Sequence, residues 1–260
     1  MPDAGSAPGQ RTVERHTRLG PYRICLEVAS GGMATVYLGR SPARVGRDRF
    51  VALKVAHPHL ARDTTFLDMF TDEARLASRI HHPNVCRVLD FDGAAREPYL
   101  AMEFLSGENL ASVFGRYAQL TRAVENGEAL TLDLERHAAL TARVMADACA
   151  GLHAAHELRD DDGEPLHVVH RDVSPENIFL TYDGVVKIVD FGVARTARQH
   201  HRTSTGFVKG KLAYLQPEAL KGSKLDRRAD VWGIGVTLWE LLTGKRLFRR
   251  DGDLETLRAV

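Results

Sequence analysis

The chain has 260 residues, enough for one large domain or for two small lobes that each bury a core. Hydrophobic residues make up 44% and charged residues 27%, and a formal net charge of +1 leaves no global field to draw nucleic acid or a membrane surface. Three cysteines (Cys25, Cys86, Cys149) lie apart in apolar contexts without C-x-x-C spacing, which excludes a zinc or disulfide framework and predicts small buried hydrophobes in a reducing compartment. Met1-Pro2-Asp3-Ala4-Gly5-Ser6 carries no apolar signal region, and no run of 18 apolar residues exists, so the expectation is a cytoplasmic chain without a membrane segment.

Residues 1–17 are rich in Gly, Pro, Ser and charge and read as a disordered tail. From Tyr22 the pattern turns strand-like: Tyr22–Leu26, Thr35–Leu38 and Phe50–Val55. Between the first two lies Ala29-Ser30-Gly31-Gly32-Met33-Ala34-Thr35-Val36, a turn whose glycines let backbone N–H groups approach an anion. Phe66, Met69, Phe70, Ala74, Ala77 and Ile80 recur at helical spacing and predict one amphipathic helix, stopped before Pro83. Val85–Phe91 and Tyr99–Phe104 read as two more strands, making five strands and one helix. Beyond Gly107 the pattern is helical: Asn109–Gln119, then Leu134–Leu158 with Leu140, Val144, Ala148, Gly151, Leu152 and Ala155 on one stripe. Asp160-Asp161-Asp162-Gly163-Glu164-Pro165 is a solvated turn, since it lacks the alternating ligands of a calcium loop. Ala229–Thr243 is apolar on nearly every side, which predicts a helix buried within its domain.

The most informative stretch is His170-Arg171-Asp172-Val173-Ser174-Pro175-Glu176-Asn177, followed across a strand-like run (Val185–Val189) by Asp190-Phe191-Gly192. It offers a carboxylate, Asp172, to take a hydroxyl proton, and two hard oxygen donors, Asn177 and Asp190, for Mg²⁺. With the glycine-containing turn, Val51-Ala52-Leu53-Lys54, Glu73 and Gln216-Pro217-Glu218 in the same order, the chain from about Tyr22 onward resembles the bacterial Ser/Thr protein kinases of eukaryotic type.

That resemblance implies an α+β, bilobal protein kinase fold: a small five-stranded β N-lobe with one helix (about 18–104) and a mainly α-helical C-lobe (about 105–260). It implies ATP and Mg²⁺ as cofactors and protein hydroxyls as acceptors, with no nucleic-acid partner. Ala29, Ser30, Gly31, Gly32, Met33, Ala34, Val36 and Ala52 would surround the nucleotide. Lys54 would reach its α/β-phosphates and pair with Glu73, and Met102, Glu103 and Leu105 would form the hinge that meets adenine. Asn177 and Asp190 would hold the metal, and Asp230 would tether the catalytic loop. Arg171 beside Asp172 implies an anionic partner, and Thr203 or Thr205, near Arg195, Arg198 and Arg202, is the expected site of autophosphorylation between associated copies.

The sequence departs from the family in three places. The outer glycines of the loop are Ala29 and Ala34. The family's Lys two residues after the catalytic Asp is Ser174, and its Thr before the P–E motif is Lys211; the expectation is an exchange in which Lys211 supplies the missing charge at the transferring phosphate. The family pattern also runs on past Leu247-Phe248 for more residues than this sequence holds, so its last helices are expected missing, with Trp232 and Trp239 left partly uncovered. Two alternatives stand beside an active kinase. A pseudokinase or scaffold would bind nucleotide without efficient transfer, against which Lys54, Glu73, Asp172, Asn177 and Asp190 are all present. A small-molecule phosphotransferase would lack the segment closing with Pro217-Glu218.

Overall fold

A computed structural model describes residues 18–43, 46–126, 133–191 and 211–260. The tail at 1–17, Gly192 and the segment carrying Thr203, Ser204, Thr205, Arg195, Arg198 and Arg202 lie outside the described residues.

The N-lobe is an antiparallel sheet in the order β1-β2-β3-β4-β6-β5, with β1 at Arg18–Leu19, β2 at Tyr22–Ser30, β3 at Ala34–Arg40, β4 at Phe50–Ala56, β5 at Val88–Asp92 and β6 at Tyr99–Glu103. All five expected strands are there. The correction is a sixth, β1, whose two residues pair with Arg23 and Tyr22 and are too few to leave a periodic signal. Along β4 the side chains alternate: Val51 and Leu53 are fully buried with Tyr22, Tyr99 and Ala101 on one face, and Ala56 turns to the other. Against that second face lies α1 (Thr64–Arg79), which buries Phe66, Phe70, Ala74 and Ala77 at steps of three and four residues. Asp63 caps it by accepting from the N–H groups of Thr65 and Phe66 at 2.9 and 3.3 Å. Lys54 shares the α1 side of β4 by the same alternation, which is what brings a strand lysine to a helix glutamate.

The C-lobe is built on α2 (Leu110–Glu125), α3 (Leu134–His156) and α4, a single turn at Pro217–Leu220, with α5 (Arg228–Thr243) and α6 (Asp253–Ala259) following. A three-stranded sheet of β7 (Gly107–Asn109), β8 (Ile178–Thr181) and β9 (Val186–Ile188) lies between the lobes. The buried stripe of α3 runs through Thr141, Met145, Ala148, Gly151, Leu152 and Ala155. Leu140 does not belong to it and stands 58% exposed, because eight residues back from Ala148 is about 80° off the face and seven is only about 20° off.

One face of α5 is sealed. Gly233 lets the carbonyl of Val173 approach to where a β-carbon would be 2.6 Å away, and Asp230, Thr237 and Glu240 are fully buried. Val231 (65% exposed), Trp239 and Leu242 lie on an open flank, so the expectation of burial all round fails there, as the partly uncovered Trp239 anticipates. Trp232 instead stacks on Phe248 with centroids 5.5 Å apart. Among the cysteines only Cys86 is buried, with its thiol pushed upward chiefly by burial; Cys25 and Cys149 are exposed, since an apolar neighbour in sequence points to the opposite face of a strand or to another side of a helix.

Candidate active site

The site forms where β4, α1, the segment after α3 and the residues after β9 meet. Lys54 Nζ lies 3.3 Å from Glu73 Oε1 and 2.9 Å from Asp190 Oδ1, so one ammonium links β4, α1 and the C-lobe. Burial opposes the Lys54 charge, but Asp190 and then Glu73 outweigh it and raise its pKa. Lys54 in turn holds Asp190 below the ordinary carboxylate range against the effect of burial. Glu73 moves the other way, raised first by burial and only partly offset by Lys54. On acidification Glu73 therefore takes its proton before Asp190 does.

The backbone here is strained in a way that its surroundings fix. Arg171 and Asp190 adopt φ of 65° and 56°, the left-handed region that costs a residue with a side chain free energy. Asp230, from the first turn of α5, accepts from the N–H of His170 at 2.9 Å, from that of Arg171 at 2.8 Å and from His156 Nε2 at 2.6 Å. His170 bridges onward: its Nε2 meets the carbonyl of Val189 at 3.0 Å, its Nδ1 meets the N–H of Asp172 at 3.3 Å, and its ring packs on Phe191. His156 is thus a structural partner of Asp230.

Around Asp172 two predicted residues converge. Asn177 Nδ2 donates to the Asp172 carbonyl at 2.7 Å and to Oδ2 at 3.0 Å, and Lys211 Nζ lies 2.6 Å from the same Oδ2. Lys211 also approaches Glu176 at 3.9 Å. Ser174 is 1% exposed, and its hydroxyl has no hydrogen-bond partner among the described residues. The ammonium of the expected exchange is therefore at the carboxylate, while the hydroxyl is buried without a hydrogen-bond partner among the described residues.

The donor set suits Mg²⁺ delivered with a triphosphate. Asn177 donates through Nδ2 to Asp172, so its amide oxygen is the atom it could offer to a metal, and Asp190, held low by Lys54, is 45% exposed at the side chain. Among the described residues no group of three or more His, Cys, Asp or Glu is placed to hold an ion alone, so the remaining ligands would be phosphate and water.

Above the site, Gly31 and Gly32 form the tip between β2 and β3, with the Gly31 N–H donating to the Ala34 carbonyl at 3.0 Å. A β-carbon on Gly32 would meet nothing within 4 Å, so the glycine there keeps space open rather than relieving a clash. Ala34 is buried, while Ala29 and Ser30 are exposed at the end of β2, and Met33 in the turn, Val36 on β3 and Ala52 on β4 are half-buried. At the far end β6 runs out through Met102 and Glu103 into Phe104 and Leu105.

Two networks were not read from the sequence. Lys187 Nζ on β9 pairs with Glu103 Oε1 at 2.6 Å; its signal was a lone charge inside the apolar run Val185–Val189. Glu240, the one carboxylate in the middle of an apolar helix, accepts from Tyr214 Oη at 2.6 Å and Arg246 Nη1 at 2.8 Å, and Arg246 lies over the Phe114 ring. Burial and then Glu240 push the Tyr214 phenol upward. The pair anchors the turn Lys211–Tyr214, and with it the Lys211 amine, to α5.

A two-lobed fold with a lysine–glutamate pair, an aspartate–asparagine loop and a second aspartate facing one cleft defines a protein kinase. The model of the protein kinase domain matches residues 22–259, and the chain belongs to that family. It is 40% identical over 241 residues to tyrosine-protein kinase MasK of Myxococcus xanthus, covering 93% of this chain and 35% of that one. It is 37% identical over 233 residues to serine/threonine-protein kinase PknL of Mycobacterium tuberculosis, covering 90% of this chain and 52% of that one. The chain thus spans about a third to about a half of the length of these relatives. The kinase domain of Mycobacterium tuberculosis PknI, a solved structure, superposes with a TM-score of 0.60 at 25% identity over 90% of this chain and 78% of that one. Among the described residues no helix is long and apolar enough to cross a membrane.

Proposed function

We propose that this chain transfers the γ-phosphoryl group of ATP to a serine or threonine hydroxyl of a protein. The observation that carries the reading is the convergence of Lys54, Asp172, Asn177 and Asp190 on one cleft, with Lys211 on the Asp172 carboxylate. Asp172 accepts the proton of the attacking hydroxyl as its oxygen bonds to phosphorus; the bond from phosphorus to the β-bridging oxygen breaks and ADP leaves. Lys54 orients the α/β-phosphates. Bound through Asn177 and Asp190, Mg²⁺ supplies neutralisation of phosphate charge. Lys211 adds a cation beside the base, in the place where the family's lysine comes from the residue now occupied by Ser174. Removing a charged donor from such a site typically costs on the order of 100-fold in rate.

Phosphorylation of Thr203 or Thr205 by an associated copy belongs to the same proposal. Arg171 Nε is buried without a partner among the described residues, the condition in which an added phosphate forms strong charge-assisted bonds. Protein substrates and any self-association are part of this reading.

The test is radiolabel transfer from ATP to a generic protein acceptor, followed by phosphoamino-acid analysis. Wild type should label serine and threonine, Asp172→Asn should lose nearly all transfer, and Lys211→Ala should lose about 100-fold or more. Labelling confined to tyrosine would place the acceptor with that named for MasK. Nucleotide binding without transfer would make the chain a pseudokinase, and near-wild-type transfer by Lys211→Ala would end the exchange.

A further inference from the structure

We infer that Lys187 is a positioning residue for the adenine end of the nucleotide, an inference that rests on the proposed kinase reading. Its ammonium meets Glu103 Oε1 at 2.6 Å and lies 3.5 Å from the Val85 carbonyl. The same Glu103 oxygen accepts from the Arg87 N–H at 2.8 Å, and the Glu103 N–H donates back to the Arg87 carbonyl at 2.9 Å. One carboxylate therefore fastens the end of β6 to the segment before β5 and, through Lys187, to β9.

β9 is in turn locked to that segment, with the Cys86 N–H on the Ile188 carbonyl at 2.8 Å and the Ile188 N–H on the Asn84 carbonyl at 2.8 Å. The next residue, Val189, donates its N–H to the Asn177 carbonyl at 3.0 Å, and Asp190 follows. The end of β6, Asn177 and Asp190 are thus tied to β9 and the residues directly after it, and Lys187 is the side chain that joins the hinge end.

The β9 ladder does not require an amine at 187. Its neighbours Val186 and Ile188 supply the buried face, and Phe179 pairs with Lys187 through backbone groups. Nor is the pair a sure source of stability: Lys187 and Glu103 are largely sheltered, and the cost of taking charges out of water offsets much of their attraction. What the amine fixes is the direction of the Glu103 side chain, and with it the register of the backbone that would meet the base. Loss of that register weakens the base contacts while leaving the phosphate end in place.

The experiment compares wild type, Lys187→Met and Lys187→Arg of the full chain. It measures kcat and the KM for ATP, with direct titration of adenosine and of tripolyphosphate. Methionine keeps the stem and removes the charge. In Lys187→Met the KM for ATP and the dissociation constant of adenosine should rise about tenfold, with kcat within about twofold and tripolyphosphate binding unmoved. Lys187→Arg should restore adenosine binding to within about threefold of wild type. Unchanged adenosine binding in Lys187→Met overturns the inference, as does an equal loss of tripolyphosphate, which would place Lys187 at the phosphates. A wild-type chain that binds adenosine but transfers no phosphate sinks the proposed activity alone, and the adenosine titration still decides Lys187.

Discussion

Ser174 and Lys211 show how a charge can change its point of origin without changing its destination. Ser174 is enclosed in the catalytic loop, and its short hydroxyl reaches no hydrogen-bonding group among the described residues. Lys211 reaches the Asp172 carboxylate from the other side, on a turn that Tyr214 ties to the buried Glu240. The two positions therefore carry different loads. Because the Ser174 hydroxyl has no hydrogen bond to lose among the described residues, Ser174→Ala should leave stability within about 1 kcal/mol, or a Tm shift of no more than about 4 °C. Thermal denaturation measures this directly. A larger fall would mean that the hydroxyl has a partner that matters to the fold.

At the scale of elements, α5 contains a matched pair of glycines. A β-carbon on Gly233 would sit 2.6 Å from the Val173 carbonyl and 2.7 Å from the Val173 β-carbon, both in the catalytic loop; on Gly235 it would meet nothing within 4 Å. Alanine is favoured over glycine in a helix by about 1 kcal/mol, so Gly235→Ala should stabilise the protein by roughly that amount. In Gly233→Ala the same gain is set against overpacking of about 1–3 kcal/mol, and the backbone atom in its way cannot rotate aside. The expected result is a lower Tm for Gly233→Ala, a higher one for Gly235→Ala, and a larger loss of transfer in the former. Only the contact with Val173 separates these glycines, and that contact joins residues 60 positions apart. The same distinction explains what could be read in the sequence. Lys54, Asp172, Asn177 and Asp190 are legible because they sit in contiguous motifs, and α1 because its apolar period is unbroken. The pairing of Lys187 with Glu103 spans 84 positions, and the burial of Glu240 depends on Arg246 and Tyr214 arriving from other segments; neither leaves a local pattern.

For the whole molecule, the question is what holds two lobes in a working alignment. Direct polar ties between them have unequal weight. Arg79 on α1 meets Asp161 at 2.6 Å, but that aspartate is 94% exposed, and such pairs contribute little in water. Lys54 is different: it is largely sheltered and touches Glu73 and Asp190 at once, so moving α1 away would strip one carboxylate of its partner and leave the other holding the amine alone. Glu73 then acts only through Lys54, and this has a kinetic signature. Glu73→Gln should lower turnover by about tenfold or more, and Lys54→Met by about 100-fold or more. The double variant should be no worse than Lys54→Met within about threefold, because both substitutions break the same contact and residues that act as a unit are not additive. Turnover measured across all four members of the cycle tests it. Losses that multiply would assign Glu73 a role of its own and would leave the alignment of the lobes to some other contact.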